Sequence, residues 1–381
     1  MSSEAFARLE EALRSEGPQA ALDLVADEFR SQKNYPKAME ARLMKKRREL
    51  GLPLIQAEVP DGLPEPVRRA YEEAFVEAAR ETGTLFLNDG DIVRAWPYFR
   101  ALGEPGPVAA AIERLAPAED QDAILEIAYL ERVNPRKGFE LILADHGLCR
   151  AITFFDQYPG REGKQESRRL LVRTLHRELV ESLKHAIARA EGQAPETESV
   201  GELIEGREWL FGEHCYYVDT SHLVAVLRFS LESEDIETLW LAVELAEYGR
   251  RLHPMFHFPG QPPFENVYED SGIYLRALAG EDVTPAKDHF QRKIDGDDTE
   301  AAQAAAQALV ALLARRGLYA EAIQVSLAHL GEAPAGQLAC PSVFELCQAS
   351  GDHARLMELA RERGDLLSFV AGAARVTEPR P

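Results

Sequence analysis

The chain has 381 residues, of which 43 are Lys or Arg and 64 are Asp or Glu, and its formal net charge is −21 at pH 7. A chain with this charge lacks the global attraction to phosphate groups that drives non-specific binding to nucleic acids and anionic membranes. We therefore expect no general nucleic-acid binding and no membrane binding. Apolar residues make up 45% of the chain, a share that can form a core.

The cysteine content and the N-terminal sequence predict a cytoplasmic protein. The four cysteines show no paired C-x-x-C spacing, so we expect them to be reduced. The first residues contain no apolar run typical of a secretory signal. Nor does the chain contain a run of about 18 apolar residues that could span a bilayer.

Helical periodicity runs through nearly every segment between the Pro and Gly residues, and strand-like alternation is almost absent. The pattern predicts two helices before residue 34, followed by helices over residues 37–50, 66–82, 92–102, 107–115, 120–132, 136–145 and 166–191. The segment 51–65 is rich in Pro and Gly, which predicts an irregular loop.

The polar stretch 191–200 predicts a linker between an N-terminal helical region, 1–190, and a C-terminal helical region, 200–375. A proline-rich interruption at 253–268 predicts a second irregular loop. The predicted helices of the C-terminal region cover residues 221–231, 236–252, 274–278, 285–294, 299–316, 319–330, 342–349, 353–363 and 366–374.

One stretch near the C-terminus has the spacing of a helical repeat. Gly317, Tyr319 and Ala322 form the pattern Gly-x-Tyr-x-x-Ala, and Pro334 lies twelve residues after the alanine. Glycine ends a first helix, tyrosine fills the groove between helices, and alanine allows a second helix to approach closely. The pattern resembles the turn and second helix of a tetratricopeptide repeat.

Other parts of the chain repeat elements of this pattern. Ala242 and Pro254 are again twelve residues apart, and Tyr35 and Ala38 repeat the Tyr-x-x-Ala spacing, with looser versions at 17–22 and 351–356. The resemblance implies an all-α fold in which antiparallel helix pairs stack as an α-solenoid. The alternative is a non-repeating all-α globule.

The region between Trp209 and Asp270 departs from this helical background, because it contains four of the ten histidines and a dense proline cluster. Imidazole and carboxylate groups are ligands of zinc, iron and manganese. The candidate ligands of a divalent metal are His214, Asp219, His222, His253 and His257. In the alternative interpretation, the aromatic residues form a hydrophobic plug and the histidines bond to backbone carbonyls.

Two functions follow from these patterns. The first is a protein–protein interaction scaffold that holds a peptide or helical segment, and the acidic charge favours a basic partner. The second is a metal-dependent hydrolase or oxygenase with its site under the 209–270 loops and Glu265 as ligand or general base. Neither pattern decides whether the chain is an enzyme. Phosphate-binding and nucleophile-elbow motifs are absent from the sequence, which gives no support to nucleotide chemistry.

Overall fold

A computed structural model describes residues 3–55, 62–117, 121–331 and 338–377. Its first ten α-helices are α1 Ser3–Ser15, α2 Pro18–Ser31, α3 Tyr35–Glu49, α4 Glu65–Asn88, α5 Ile92–Leu102, α6 Gly106–Glu113, α7 Asp122–Leu125, α8 Pro135–Gln157, α9 Lys164–Glu191 and α10 Val200–Ile204. A π-helical turn follows α7 at Glu126–Leu130, and a 3-10 turn follows α10 at Glu208–Phe211.

The second half of the chain is equally helical. Its elements are α11 Thr220–Ser230, α12 Ile236–Arg251, a 3-10 turn Pro254–Phe256, α13 Val267–Ala279, α14 Thr284–Ile294, α15 Thr299–Arg315, α16 Tyr319–His329, α17 Val343–Ser350, α18 His353–Glu362 and α19 Leu366–Thr377. The extended pairing seen within the described ranges is one isolated bridge, between Pro259 and Asn266. The predicted all-α class is confirmed.

Consecutive helices pack against each other as antiparallel pairs. Among the pairs with the most extensive contacts are α2 and α3, α4 and α5, α12 and α13, α14 and α15, and α18 and α19. Four of these pairs are joined by connections of three or four residues, the usual geometry of antiparallel neighbours, whereas α12 and α13 are joined by the loop 252–266. The predicted succession of antiparallel helix pairs is confirmed.

The chain forms two compact units. Unit 1 contains Met1–Gly147 and Tyr158–Lys164, and unit 2 contains Leu148–Gln157 and Gln165–Pro381. Gly147 interrupts α8 with φ 70° and ψ −174°, a backbone conformation that glycine adopts readily because it has no Cβ atom. The boundary predicted near 191–200 stays a prediction, and these residues are part of unit 2.

The core of unit 1 forms around aromatic rings from α3, α4 and α5. Tyr35 and Phe86 are buried with their ring centroids 5.0 Å apart and their planes at 82°. Gly83 of α4 lets Phe99 approach, since a Cβ atom at this glycine would lie 2.7 Å from Phe99 Cε2. Ala38, the alanine of the Tyr-x-x-Ala spacing, is also buried.

The core of unit 2 includes the positions that carry the repeat resemblance. Ala322 and Ala242 are fully buried, and so are the apolar side chains of Leu309 and Leu313 on the preceding helix of the pair α15–α16. Pro334, which completes the predicted spacing, lies outside the described residues. The burial of Ala322 and Ala242 therefore agrees with the prediction that paired helices approach closely at small side chains.

The two predicted irregular loops differ in how much of each the structure describes. In the loop 51–65, residues 56–61 lie outside the described ranges, and α4 begins at Glu65. The loop 253–268 is described completely and ends at Val267, where α13 begins well before the predicted start at residue 274. Among the described helices, none combines the length and apolar character needed to cross a bilayer.

Candidate interaction surface

Two irregular segments of unit 2, 205–219 and 252–266, meet at one end of the antiparallel helices α11 and α12. The ring of Tyr216 lies 5.4 Å from that of Phe256 in an edge-to-face arrangement. The backbone N–H of Tyr217 donates to the buried Tyr248 hydroxyl over 2.8 Å. Arg251 donates to Ile204 O over 2.6 Å and pairs with Glu208 over 2.5 Å. These contacts tie both segments to the end of α12.

Asp219 starts α11 as its N-cap. Its Oδ1 atom accepts from Ser221 N at 2.8 Å, from Ser221 Oγ at 2.6 Å and from His222 N at 3.4 Å. These bonds satisfy backbone donors that have no partner within the first turn. The Ser221 hydroxyl, followed by the backbone donors, holds the pKa of the Asp219 carboxyl below its usual range.

The segment 252–258 is held by side chains that bond to backbone atoms. His257 Nε2 lies 3.0 Å from Leu252 O, and His253 Nδ1 accepts from Met255 N at 3.4 Å. The Tyr268 hydroxyl donates to Phe256 O over 3.1 Å. The interpretation of the histidines as backbone-bonding residues is therefore confirmed for His257.

A charged cluster around the buried Asp270 holds the rest of this loop. The carboxylate of Asp270, 1% exposed, lies 2.7 Å from His289 Nε2 and accepts from Asn266 N at 2.9 Å. Lys293 Nζ donates to Asp270 at 2.9 Å, to Glu265 at 2.5 Å and to Pro263 O at 2.6 Å. All three protons of the Lys293 ammonium group thus have an acceptor.

The charges in this cluster stabilise one another. Burial alone would lower the pKa of Lys293, but the hydrogen bonds and negative charges of Asp270 and Glu265 raise it overall. The ammonium group is therefore charged at neutral pH. The cluster connects three elements, namely the loop 252–266, α13 and α14, and it fixes the loop against the two helices.

The two fixed segments expose large apolar side chains to solvent. Trp209 is 45% exposed, Tyr216 56%, Met255 51% and Phe258 49%. We call these four residues the aromatic patch. A single exposed apolar residue is ordinary, but several on joined segments are typical of a protein-binding surface. Trp, Tyr, Phe and Met are also the residue types enriched in such interfaces.

The surroundings of the aromatic patch are acidic. Residues 205–270 contain thirteen acidic and four basic side chains. All four basic residues are ion-paired, Arg207 with Glu191, Arg228 with Asp156, Arg250 with Glu247 and Arg251 with Glu208. Several of the thirteen carboxylates pair with cations outside this range, such as Glu232 with Arg168 and Glu265 with Lys293. The segment 205–219, which carries Trp209 and Tyr216, has four acidic residues and one basic residue and is therefore net negative.

The candidate metal ligands do not come together as a group. His214 is exposed, His222 is half-buried in the first turn of α11, and Asp219 caps that helix. Within the described ranges, no three His, Cys, Asp or Glu side chains are arranged to hold a metal ion. Glu265 pairs with Lys293. The metal site stays a prediction of the sequence.

The residues that organise this surface include two that the sequence does not single out, His289 and Lys293. Both lie on α14, four residues apart and so on one face of that helix. Their partner Asp270 is on a different helix, which the spacing within α14 does not reveal. The sequence offers no signal that marks the pair, because α14 carries other charged side chains such as Lys287, Asp288 and Arg292.

Fold and surface define an all-α protein of consecutive antiparallel helix pairs that carries an exposed aromatic patch. Comparison of the chain with protein-family models, with curated proteins and with solved structures finds no match.

Proposed function

We propose that the chain is a protein-interaction scaffold, an α-solenoid of the tetratricopeptide type that binds a basic, amphipathic segment of another protein. The observation that carries this proposal is the aromatic patch of Trp209, Tyr216, Met255 and Phe258 on a fixed part of unit 2. The buried repeat positions and the packing of consecutive helices support the solenoid.

The rigidity of the surface favours binding. A loop that must order itself when it binds loses affinity, because conformational entropy is lost on binding. Here the loop 252–266 is already held by Lys293, Asp270 and the Tyr268 hydroxyl. The exposed rings can therefore contact a partner without that cost.

The charge around the patch selects the chemistry of the partner. Apolar side chains of the partner would cover the exposed rings, while Lys or Arg side chains would lie near the exposed carboxylates of the segment 205–219, such as Glu205 and Glu213. A helical segment with one apolar and one basic face satisfies both conditions. An acidic segment of the same apolar content would be repelled.

The test uses two fluorescent helical peptides, one made of Leu and Lys and its counterpart made of Leu and Glu. Fluorescence anisotropy with the full chain is expected to show binding of the Leu/Lys peptide only. Raising NaCl from about 0.05 M to about 0.5 M should weaken this binding, because screening reduces the attraction between exposed charges.

Substitutions distinguish peptide binding through the aromatic patch from attraction to the acidic chain as a whole. Phe258→Ser and Met255→Ser are each expected to weaken binding about tenfold, the effect of truncating an interface anchor. Ile236→Ser is the matched control, since Ile236 is 62% exposed on α12 but outside the patch. Equal binding by all three variants would show that the peptide recognises only charge and would contradict the proposal.

A further inference from the structure

The last helix, α19, exposes an apolar face. Leu366 is 78% exposed, Leu367 86% and Val370 63%, and Ala371 is exposed as well. Positions i, i+1, i+4 and i+5 lie on one side of a helix because a turn takes 3.6 residues. The exposed residues therefore form one continuous apolar stripe.

The opposite side of α19 is firmly packed. Gly372 is in close contact with α18, since a Cβ atom there would lie 2.9 Å from Met357 Cγ. Phe369 lies under the guanidinium group of Arg361 at 5.2 Å. Asp365 accepts from Ser368 Oγ at 2.7 Å and from two backbone N–H groups of the first turn. The stripe is therefore the solvent-exposed face of a helix whose other face packs on α18.

The charge of the chain limits what can cover this stripe. Residues 366–374 contain no charged side chain, whereas the whole chain has a net charge of −21. Two copies of such a chain repel each other over most of their surfaces. The stripe itself carries no charge, so a second copy meets fewer opposing carboxylates there than over most of the surface, with Asp365 at its N-terminal border. A basic partner, by contrast, has no charge to recognise on it.

We propose that the stripe of α19 binds the same stripe of a second copy in a two-fold symmetric contact. In such a contact each surface meets its own copy, so Leu367 and Val370 of one chain pack on Leu366, Leu367 and Val370 of the other. Ala371 is small and allows the two helix backbones to approach closely. This interface is separate from the aromatic patch and does not depend on the proposed scaffold function.

The interface is small. One face of a short helix contributes less than the roughly 800 Å² per partner that stable complexes bury. We therefore expect reversible dimers that form as the protein concentration rises. Salt should strengthen them, because screening weakens the repulsion between two negative copies. This is the opposite of the salt effect expected for the basic peptide.

Sedimentation velocity of the full chain over a concentration series, at low and high NaCl, tests the proposal. The weight-average sedimentation coefficient is expected to rise with concentration, and to rise further with salt. Leu367→Glu should abolish the rise, because it places a carboxylate at the centre of the contact. Ile236→Glu introduces the same charge at another exposed apolar site and should leave the rise unchanged.

A mixing experiment distinguishes loss of the contact from misfolding. Leu367→Glu and Leu367→Lys are each expected to be monomeric, and an equimolar mixture should associate because Glu and Lys then face each other. The proposal is overturned by a wild-type chain that stays monomeric at every concentration and salt level. Association that survives Leu367→Glu, weakens with salt or is not restored in the mixture also overturns it.

Discussion

The aromatic patch and the α19 stripe expose apolar side chains in opposite ways. The patch belongs to irregular segments and is fixed by the buried carboxylate of Asp270 and its partner Lys293, whereas the stripe lies on a regular helix packed through Gly372 and Phe369. An irregular backbone satisfies only part of its own hydrogen bonds, such as Gly260 N to Glu265 O, so side chains from neighbouring helices satisfy others. A helix needs only one packed face.

The two regions also differ in charge. Acidic side chains surround the patch, while residues 366–374 carry none. We propose a partner of opposite charge for the charged surrounding and a second copy of the chain for the uncharged stripe. The difference teaches that apolar exposure alone does not specify a partner, because the neighbouring charges decide which molecule can approach.

The largest expected effect is at the charged cluster around Asp270. Asp270→Ala removes the buried acceptor shared by His289, Lys293 and Asn266 N, and we expect a loss of about 3 kcal/mol of unfolding free energy in unit 2, about 1 kcal/mol for each lost hydrogen bond. Hydrogen-exchange mass spectrometry should show faster exchange in residues 252–266 and unchanged exchange in α19.

The neighbouring carboxylate provides the control for this substitution. Glu269 is exposed and accepts from Asn266 Nδ2 at 2.7 Å, so Glu269→Ala should change stability by less than about 0.5 kcal/mol. Equal hydrogen exchange of residues 252–266 in Asp270→Ala and Glu269→Ala would mean that the loop does not depend on Asp270. The contrast between the aromatic patch and the α19 stripe would then be wrong.

A smaller effect is expected where α13 packs on α12. A Cβ atom at Gly249 would lie 2.6 Å from Tyr268 Cε1, so Gly249→Ala must displace the ring whose hydroxyl holds Phe256 O. We expect a destabilisation of about 1–3 kcal/mol from this overpacking. Thermal unfolding and peptide binding should both report the change.

Gly272 on α13 is the matched control for Gly249. A Cβ atom at Gly272 would make an ordinary contact, 3.5 Å from Ala246 Cβ, so Gly272→Ala should be neutral or stabilise by up to about 1 kcal/mol through helix propensity. If Gly249→Ala were as stable as Gly272→Ala, close packing of Tyr268 would not fix the loop.

The smallest effect is expected at the N-cap of α11. Asp219→Ala removes the acceptor of Ser221 N and His222 N and should cost about 1 kcal/mol. Because the pKa of Asp219 is lowered in the folded chain, this stabilisation is present above its usual pKa of 3.8 and is lost as pH falls through the folded value. Chemical denaturation should show a smaller difference in unfolding free energy between wild type and variant at acid pH than at pH 7.

Much of the helical fold follows from local patterns. The sequence predicts α5 at its observed bounds because Asp91 and Gly103 cap it, and it predicts α15 and α16 within one residue. The predicted start of α13 is too late, because Glu269 and Asp270 resemble loop residues. Asp270 is buried only because a helix farther along the chain supplies its partners.

The region 209–270 can be located from the sequence, but the contacts within it cannot be predicted. The concentration of histidines and prolines indicates that residues 209–270 depart from the helical background, yet the roles of His257 and Glu265 depend on contacts with Leu252 O and Lys293. The exposure of Trp209 is a property of packing. Composition indicates an aromatic segment, but it does not indicate which rings face solvent.

The kink at Gly147 has a consequence for dividing the chain. Residues 148–157 belong to unit 2 although they precede the last segment of unit 1, Tyr158–Lys164. A fragment that begins at residue 165 lacks Phe155, whose ring lies 4.5 Å from that of Phe229, and Asp156, which pairs with Arg228. No single cut yields both units intact, so genetic truncation at this point removes part of one of them.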